Sequence, residues 1–156
     1  MKVSKIMQHK VSTVHIDDPL AQAARPMWEQ DIGCVPVLDG GGSVVGMLTD
    51  RDICMHAYLK GGRLEDLRVR DAMAKRVLTV TATDTIQHAE LIMQRARIRR
   101  LPVVDDDGTL IGILSLNDIA REAAQETSGR RREINLDEVG MTLAEVCQPR
   151  AVTAQA

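Results

Sequence analysis

The sequence predicts an α/β protein built from two tandem strand–helix–strand–strand–helix units related by a pseudo-two-fold axis. Three observations carry that expectation. Residues 3–57 align with 69–123 at a constant shift of 66 with no gap, and 18 of the 55 pairs are identical. In each copy an apolar strand breaks at once into a helix, at Thr49-Asp50-Arg51-Asp52 and again at Ser115-Leu116-Asn117-Asp118. A proline-centred apolar strand precedes each break, Val35-Pro36-Val37 and Leu101-Pro102-Val103. A repeat that cannot bury its apolar face alone needs its neighbour. Two copies therefore imply one paired domain over residues 1–126, with repeats at about 3–62 and 69–125, and a tail over 127–156.

Each element has a local cause. Val3 to Met7 reads as one helical turn, echoed by Val69 to Met73. Ser12 to Ile16 alternates and is rich in β-branched residues, which favours a short strand. Asp18 as N-cap and Pro19 at the first helical position open a helix, since proline suits a site whose amide lacks a partner. Leu20, Ala23, Ala24, Met27 and Trp28 recur on it at helical spacing. Pro26 lies inside that helix and predicts a kink, whereas the second copy has Ile92 there. Cys34 to Leu38 is a buried strand, Asp39-Gly40-Gly41-Gly42 its turn, and Ser43 to Leu48 the return. The helix from Thr49 stops near Lys60-Gly61-Gly62.

The second copy predicts a strand at 78–82, a helix from Asp84 to about Ala96, strands at 100–104 and 109–115, and a helix from Leu116. Ile119, Ala120, Ala123 and Ala124 give that last helix a small-residue face open to close approach by another helix. Thr127 to Arg132 reads as a loop, Thr142-Leu143-Ala144-Glu145 as a capping box opening a short helix, and 148–156 as frayed.

Composition excludes several functions. Trp28 and Tyr58 are the only aromatics, so aliphatic residues and Met fill the core, and base-stacking of single-stranded nucleic acid lacks its platform. A net charge of −2 gives no general attraction to nucleic acid or an anionic membrane. Cys34, Cys54 and Cys147 are too few and scattered for a disulfide framework, which fits a reducing compartment. No segment approaches the ~18 apolar residues of a membrane span, and the first residues lack a signal-peptide run. The expectation is a soluble cytoplasmic protein with neither nucleic-acid nor membrane partner.

The gapless pair, with a Val/Leu-Pro-Val strand, an Asp-Gly-type turn and Gly-x-x-[Thr/Ser]-x-x-Asp in each half, resembles the CBS domain, named from cystathionine β-synthase. The resemblance covers residues 3–125. It implies two tandem β-α-β-β-α repeats forming a Bateman module whose clefts bind adenine nucleotides or adenosyl compounds, and a module that pairs again as a homodimer. On that resemblance Asp52 and Asp118 take the ribose hydroxyls. Thr49 and Ser115, at helix starts where dipole and amides favour anions, take a phosphate. Backbone around Thr13-Val14 and Thr79-Val80 reads the adenine, and Val35, Pro36, Leu101 and Pro102 wall the clefts.

The halves differ. Arg97, Arg99 and Arg100 replace Asp31, Gly33 and Cys34, so Arg99 and Arg100 offer phosphate-binding charge, or else a solvated basic face. Arg51 faces a neutral counterpart in Asn117. Two unequal sites follow.

The function expected is a non-enzymatic sensor, without cofactor, that binds AMP, ADP or ATP and acts on a partner protein whose identity the residues do not reveal. S-adenosylmethionine and NAD are further ligand candidates. The alternative is a metal- or redox-responsive interaction protein using the cysteines, with vestigial clefts. Cys54 and His56 do not share a helix face, and no catalytic Ser/His or Cys/His arrangement is legible.

Overall fold

The computed structural model describes residues 1–125 and 133–148. In chain order they form β1 (Val14–His15), α1 (Leu20–Glu29), β2 (Cys34–Leu38), β3 (Val44–Thr49), α2 (Asp50–Lys60), α3 (Val69–Ala72), β4 (Val80–Thr81), α4 (Ile86–Ala96), β5 (Arg100–Val104), β6 (Leu110–Ser115), α5 (Leu116–Gln125) and α6 (Leu136–Val146), preceded by a 3₁₀ turn at Val3–Lys5. The strands form two three-stranded sheets, ordered β1-β2-β3 and β4-β5-β6. This is the α/β repeat architecture the sequence predicts. The loop expected over 127–132 and the frayed end beyond Gln148 lie outside the described residues.

In the first sheet β1 runs parallel to β2, with Val14 opposite Val37, and β2 runs antiparallel to β3, with Val35 opposite Leu48. The Asp39 turn closes through its own side chain: Oδ1 accepts from Gly41 N and Ser43 N, both at 2.9 Å. Gly42 adopts φ 84°, and its repeat partner Gly108 φ 81°. Asp31 and Arg97, also one shift apart, share φ 53°. The backbone repeats even where the side chains have diverged.

The chain divides into two compact units, and they do not follow the sequence repeats: one contains 1–7, 80–103 and from 113 onward, the other 8–79 and 104–112. The leading segments explain it. In the second unit, Leu20 N and Ala21 N at the start of α1 donate to the carbonyls of Leu67 and Leu64, and Val69 N donates to Asp18 O. In the first unit, Ile86 N donates to Met1 O, and Val3 N to Asp84 O. Each leading segment thus satisfies amides that a helix start leaves open.

That pairing corrects the expected cap at Asp18. Pro19 is the N-cap residue of α1, and the Asp18 carboxylate turns back to accept from His15 N at 2.7 Å. Asp84 does likewise for Thr81 N, while Thr85 caps α4 by accepting from His88 N. The outer strands are shorter than predicted, each spanning two residues, and the turns after His15 and Thr81 set their C-terminal ends. Helix α1 passes through Pro26 and includes it.

The core of the second unit gathers Val14, Leu20, Ala23, Met27, Val35, Val37, Leu48, Ile53 and Val69. Trp28 is not part of it: although grouped with Leu20 by spacing, it lies about 80° around the helix from that residue and is 89% exposed. Gly46 is buried, and a Cβ there would come within 2.4 Å of the Met73 sulfur. Only glycine lets Met73 and the Met47–Ala74 backbone pair close on β3.

In the first unit α6 packs on α4 and α5, burying Ile134, Val139, Thr142 and Val146. Of the small residues grouped on α5, Ala123 is buried with Ile119, whereas Ala124 is exposed. The helix itself begins earlier than Thr142. Asn135 Oδ1 accepts from Asp137 N at 2.9 Å and starts α6 there, leaving Thr142 in mid-helix, where its hydroxyl donates to Glu138 O at 2.8 Å. The Asn-x-Asp-Glu start outcompetes the later Thr-x-x-Glu pattern because it brings the buried Val139 into the helix.

Candidate functional site

The two strand–helix breaks are built alike. Thr49 caps α2: its hydroxyl accepts from Asp52 N at 3.1 Å, while Asp52 Oδ2 accepts from Thr49 N at 3.0 Å and from Thr49 Oγ1 at 2.7 Å. Ser115 and Asp118 repeat the pattern at the start of α5, with Oδ2 accepting from Ser115 N at 2.9 Å and from Ser115 Oγ at 2.5 Å, and Ser115 Oγ accepting from Asp118 N at 3.2 Å. This is a capping box with aspartate in place of the usual glutamate. One carboxylate oxygen is used locally in each. Asp118 is buried at 8% exposure, with Arg121 3.8 Å from its Oδ1, while Asp52 is half-buried.

The helix starts then differ. At α2, Asp50 N donates to Gly33 O at 3.2 Å and Arg51 N to the Asp50 side chain at 2.7 Å, so with Asp52 N the first three amides are all engaged. At α5, Leu116 N donates to Arg99 O at 2.9 Å, but Leu116 has no carboxylate to offer the next amide. Among the described residues, no side chain accepts from Asn117 N. The second helix start therefore keeps a donor that can face an anion, and the first replaces it with a second acid.

The other predicted site residues are placed as follows. Val14 and Val35 belong to the core, and Val80, Leu101 and Pro102 are buried, as is Pro36. Thr13 and Thr79 are exposed beside the first strand of each sheet. Arg100 begins β5, and Arg99 donates from its guanidinium to Cys147 Sγ at 3.4 Å, at the C-terminal end of α6. Among the described residues, no group of three or more His, Cys, Asp or Glu side chains is arranged to hold a metal.

Two hollows lie within single units, and none of the predicted ligand residues lines either. One, of about 350 Å³, sits at the start of α6 between Gln87, Ile134 and Glu138. The other, of about 650 Å³, lies between α1 and α2 and is lined by Ala24, Met27, Ile32, Ile53, Ala57 and Leu64.

Sequence reasoning missed Glu90. It is buried at 3% exposure on α4, and among the described residues its Oε1 has no hydrogen-bond partner. Burial, reinforced by the nearby Glu138 carboxylate and partly opposed by a hydrogen bond with Thr142, lifts its carboxyl from 4.5 to about 7. The repeat alignment held the clue, since Glu90 stands where the first copy has Ala24.

Comparison with known proteins accords with this architecture. The CBS domain family model matches residues 3–58 and 69–125. A CBS domain-containing protein of Bacillus subtilis, YhcV, is 32% identical over 81% of this chain and 89% of its own length. The chain matches 61% of an uncharacterized protein of Methanopyrus kandleri at 31% identity, but only 23% of the homoserine O-acetyltransferase of Methanococcoides burtonii at 36%. Among solved structures, the CBS domain pair of protein MJ0100 in complex with 5′-methylthioadenosine and S-adenosyl-L-methionine superposes with a TM-score of 0.73 at 25% identity, covering 81% of this chain and 98% of that one. CBSX2 in complex with AMP gives 0.68 at 27%, covering 80% and 96%.

Proposed function

This chain belongs to the CBS domain family, and from that premise we propose that residues 1–126 are a regulatory module that binds an adenine nucleotide and passes its occupancy to a partner protein. The observation that carries the reading is the duplicated hydroxyl–acid closure. In each copy an aspartate one turn into a helix is held in place by its own cap through Oδ2, which positions the carboxylate toward a ribose. Similarity to pairs bound to AMP and to S-adenosyl-L-methionine supports an adenosine-type ligand.

The two sites are unequal. Ser115 and Asp118, with the Asn117 amide and Arg121 nearby in sequence and Arg100 at the start of β5, favour a phosphate-bearing ligand. Thr49 and Asp52, with Asp50 added, favour a ligand of lower negative charge. Thr13-Val14 and Thr79-Val80 offer backbone to the base, and Val35-Pro36 and Leu101-Pro102 keep each slot apolar. Arg99 serves the phosphate only by leaving Cys147. The module performs no catalysis and works as a homodimer in the cytoplasm. Signalling arises because the ligand binds two arrangements of the protein with different affinity; equal affinity would shift nothing.

Thermal melting with AMP, ADP, ATP, S-adenosylmethionine and NAD tests this. A ligand at a hundredfold its dissociation constant stabilises by about 2.7 kcal/mol. An unmoved melting curve across the whole panel overturns the reading.

A further inference from the structure

Helix α6 rests on a face that carries a buried carboxyl. Glu90, on α4, is 3% exposed, and among the described residues its Oε1 has no hydrogen-bond partner. At the shift of 66 its counterpart is Ala24, which lines the open groove between α1 and α2. The carboxyl thus stands only in the copy that α6 covers. A methyl group, as at Ala24, seals such a face without a polar penalty. A buried polar atom without a partner destabilises the seal, and a buried unpaired charge does so far more.

The hydrogen bonds of Thr142 show which form of Glu90 this interface accepts. A hydroxyl has one hydrogen to give and two lone pairs to receive. Thr142, with no solvent exposure, gives its hydrogen to Glu138 O at 2.8 Å and receives one from the Gln94 amide at 2.7 Å. It can steady an ionised Glu90 only by withdrawing that hydrogen from Glu138 O. A protonated Glu90 brings its own hydrogen and leaves both bonds intact. The other neighbours offer no counter-charge. From α6 the facing groups are the Glu138 carboxylate and Thr142, and from α4 Gln87 and Gln94, one turn to either side. From α5 come the buried Ile119 and Ala123; of its charged residues Asp118, Arg121 and Glu122, the one base lies 3.8 Å from Asp118. The amino terminus is held by Glu133 at 3.2 Å. Among the described residues, no cation pairs with Glu90.

We propose that α6 is a proton-gated clasp: it lies on α4 and α5 while Glu90 is neutral, and lifts from them when Glu90 ionises. Ile134, Val139 and Val146 hold the helix down by apolar burial, and that hold does not vary with pH. Ionisation opposes it by setting an unpaired charge beneath α6, beside the like charge of Glu138, where water reaches it only when the helix moves away. The sign follows from proton binding. The docked form keeps a proton that the open form, with Glu90 in water, has released, so rising pH favours the open form. With the carboxyl lifted from 4.5 to about 7, the docking equilibrium falls by at most roughly 300-fold across that window and is constant above it. Lifting α6 also parts the Arg99 guanidinium from Cys147 Sγ, now 3.4 Å away. On the nucleotide reading above, that makes Arg99 available to a phosphate; the clasp itself does not depend on that reading.

Amide hydrogen exchange on the full chain tests the clasp, with the parent and Glu90→Gln compared at each pH so that the pH dependence of exchange chemistry cancels. Between about pH 5 and about pH 8, protection of 136–146 in the parent relative to Glu90→Gln is expected to fall at least tenfold, while β2 and β3 keep theirs. Glu138→Gln, which leaves Glu90 in place and removes the like charge facing it, is expected to shrink the fall. A parent-to-variant ratio that stays constant over this range overturns the proposal. So does a loss shared equally by β2 and β3, which is global unfolding, or a Glu138→Gln protein whose α6 loses as much protection as the parent. Nucleotide melting is a separate readout: a panel without effect removes the nucleotide reading alone, and a flat exchange profile removes the clasp alone.

Discussion

The side-chain amide of Gln94 donates to the hydroxyl of Thr142 across 2.7 Å, and this bond joins α4 to α6 within a buried interface. The hydroxyl in turn donates to Glu138 O, so Thr142 is both acceptor and donor at a residue with no solvent exposure. Thr142→Val keeps the shape and removes both roles, leaving the Gln94 amide without its acceptor. The expected cost is about 1–3 kcal/mol, concentrated in α6. Amide hydrogen exchange checks it: protection falls in 136–146 and holds in β2 and β3.

Glu90 predicts a pH dependence. Its carboxyl is raised from 4.5 to about 7, so between those values the folded protein holds a proton that the unfolded chain has released. Stability therefore falls as pH rises through that window and levels off above it, by about 3 kcal/mol at most. Urea midpoints measured below and above the window should show the loss, and Glu90→Gln should flatten it. A parent protein whose midpoint rises with pH over this interval excludes a buried neutral Glu90.

Removing the cap and removing the ribose ligand are separable. Thr49→Ala and Ser115→Ala each cost about 1 kcal/mol of stability through the lost helix cap. Asp118→Asn keeps the size of the side chain and removes its charge. It is expected to weaken AMP by tenfold or more, about 1.4 kcal/mol, with Asp52→Asn weakening it less. Isothermal titration of the four variants decides the matter. Equal affinity in all of them shows that neither acid touches the ligand.

Gly46→Ala is expected to destabilise by about 1–3 kcal/mol, because the added methyl meets the Met73 sulfur and the Ala74 carbonyl. Adding Met73→Ala should recover part of that loss despite removing buried surface. Denaturant unfolding of the two single variants and the double variant measures the coupling.

Much of the fold was legible because the repeat confirms each local signal twice. Thr49-x-x-Asp52 alone is an ordinary helix start; its echo at Ser115-x-x-Asp118 marked both as candidates. The Asp39 turn and the Gly61 stop were likewise readable, since their backbone conformations admit few residue types. Trp28 misled because helical spacing places it near the core face without saying whether another surface covers the adjacent one. Asp18 misled because the amides it was expected to cap are taken by Leu67 and Leu64, almost fifty residues away in sequence. The repeat alignment set Glu90 against Ala24 but could not show its burial, which depends on α6 beyond the repeat.

A duplicated gene starts with halves in which the same substitution has the same consequence. With α6 packed on α4 and α5, the two copies no longer share that symmetry of tolerance. Position 94 must keep an amide able to reach Thr142, while its twin at 28 is released from that demand and free to become the bulkiest residue in the chain. A substitution map of the two copies should diverge most on these helix faces and least at the turns, where both still answer to the same backbone.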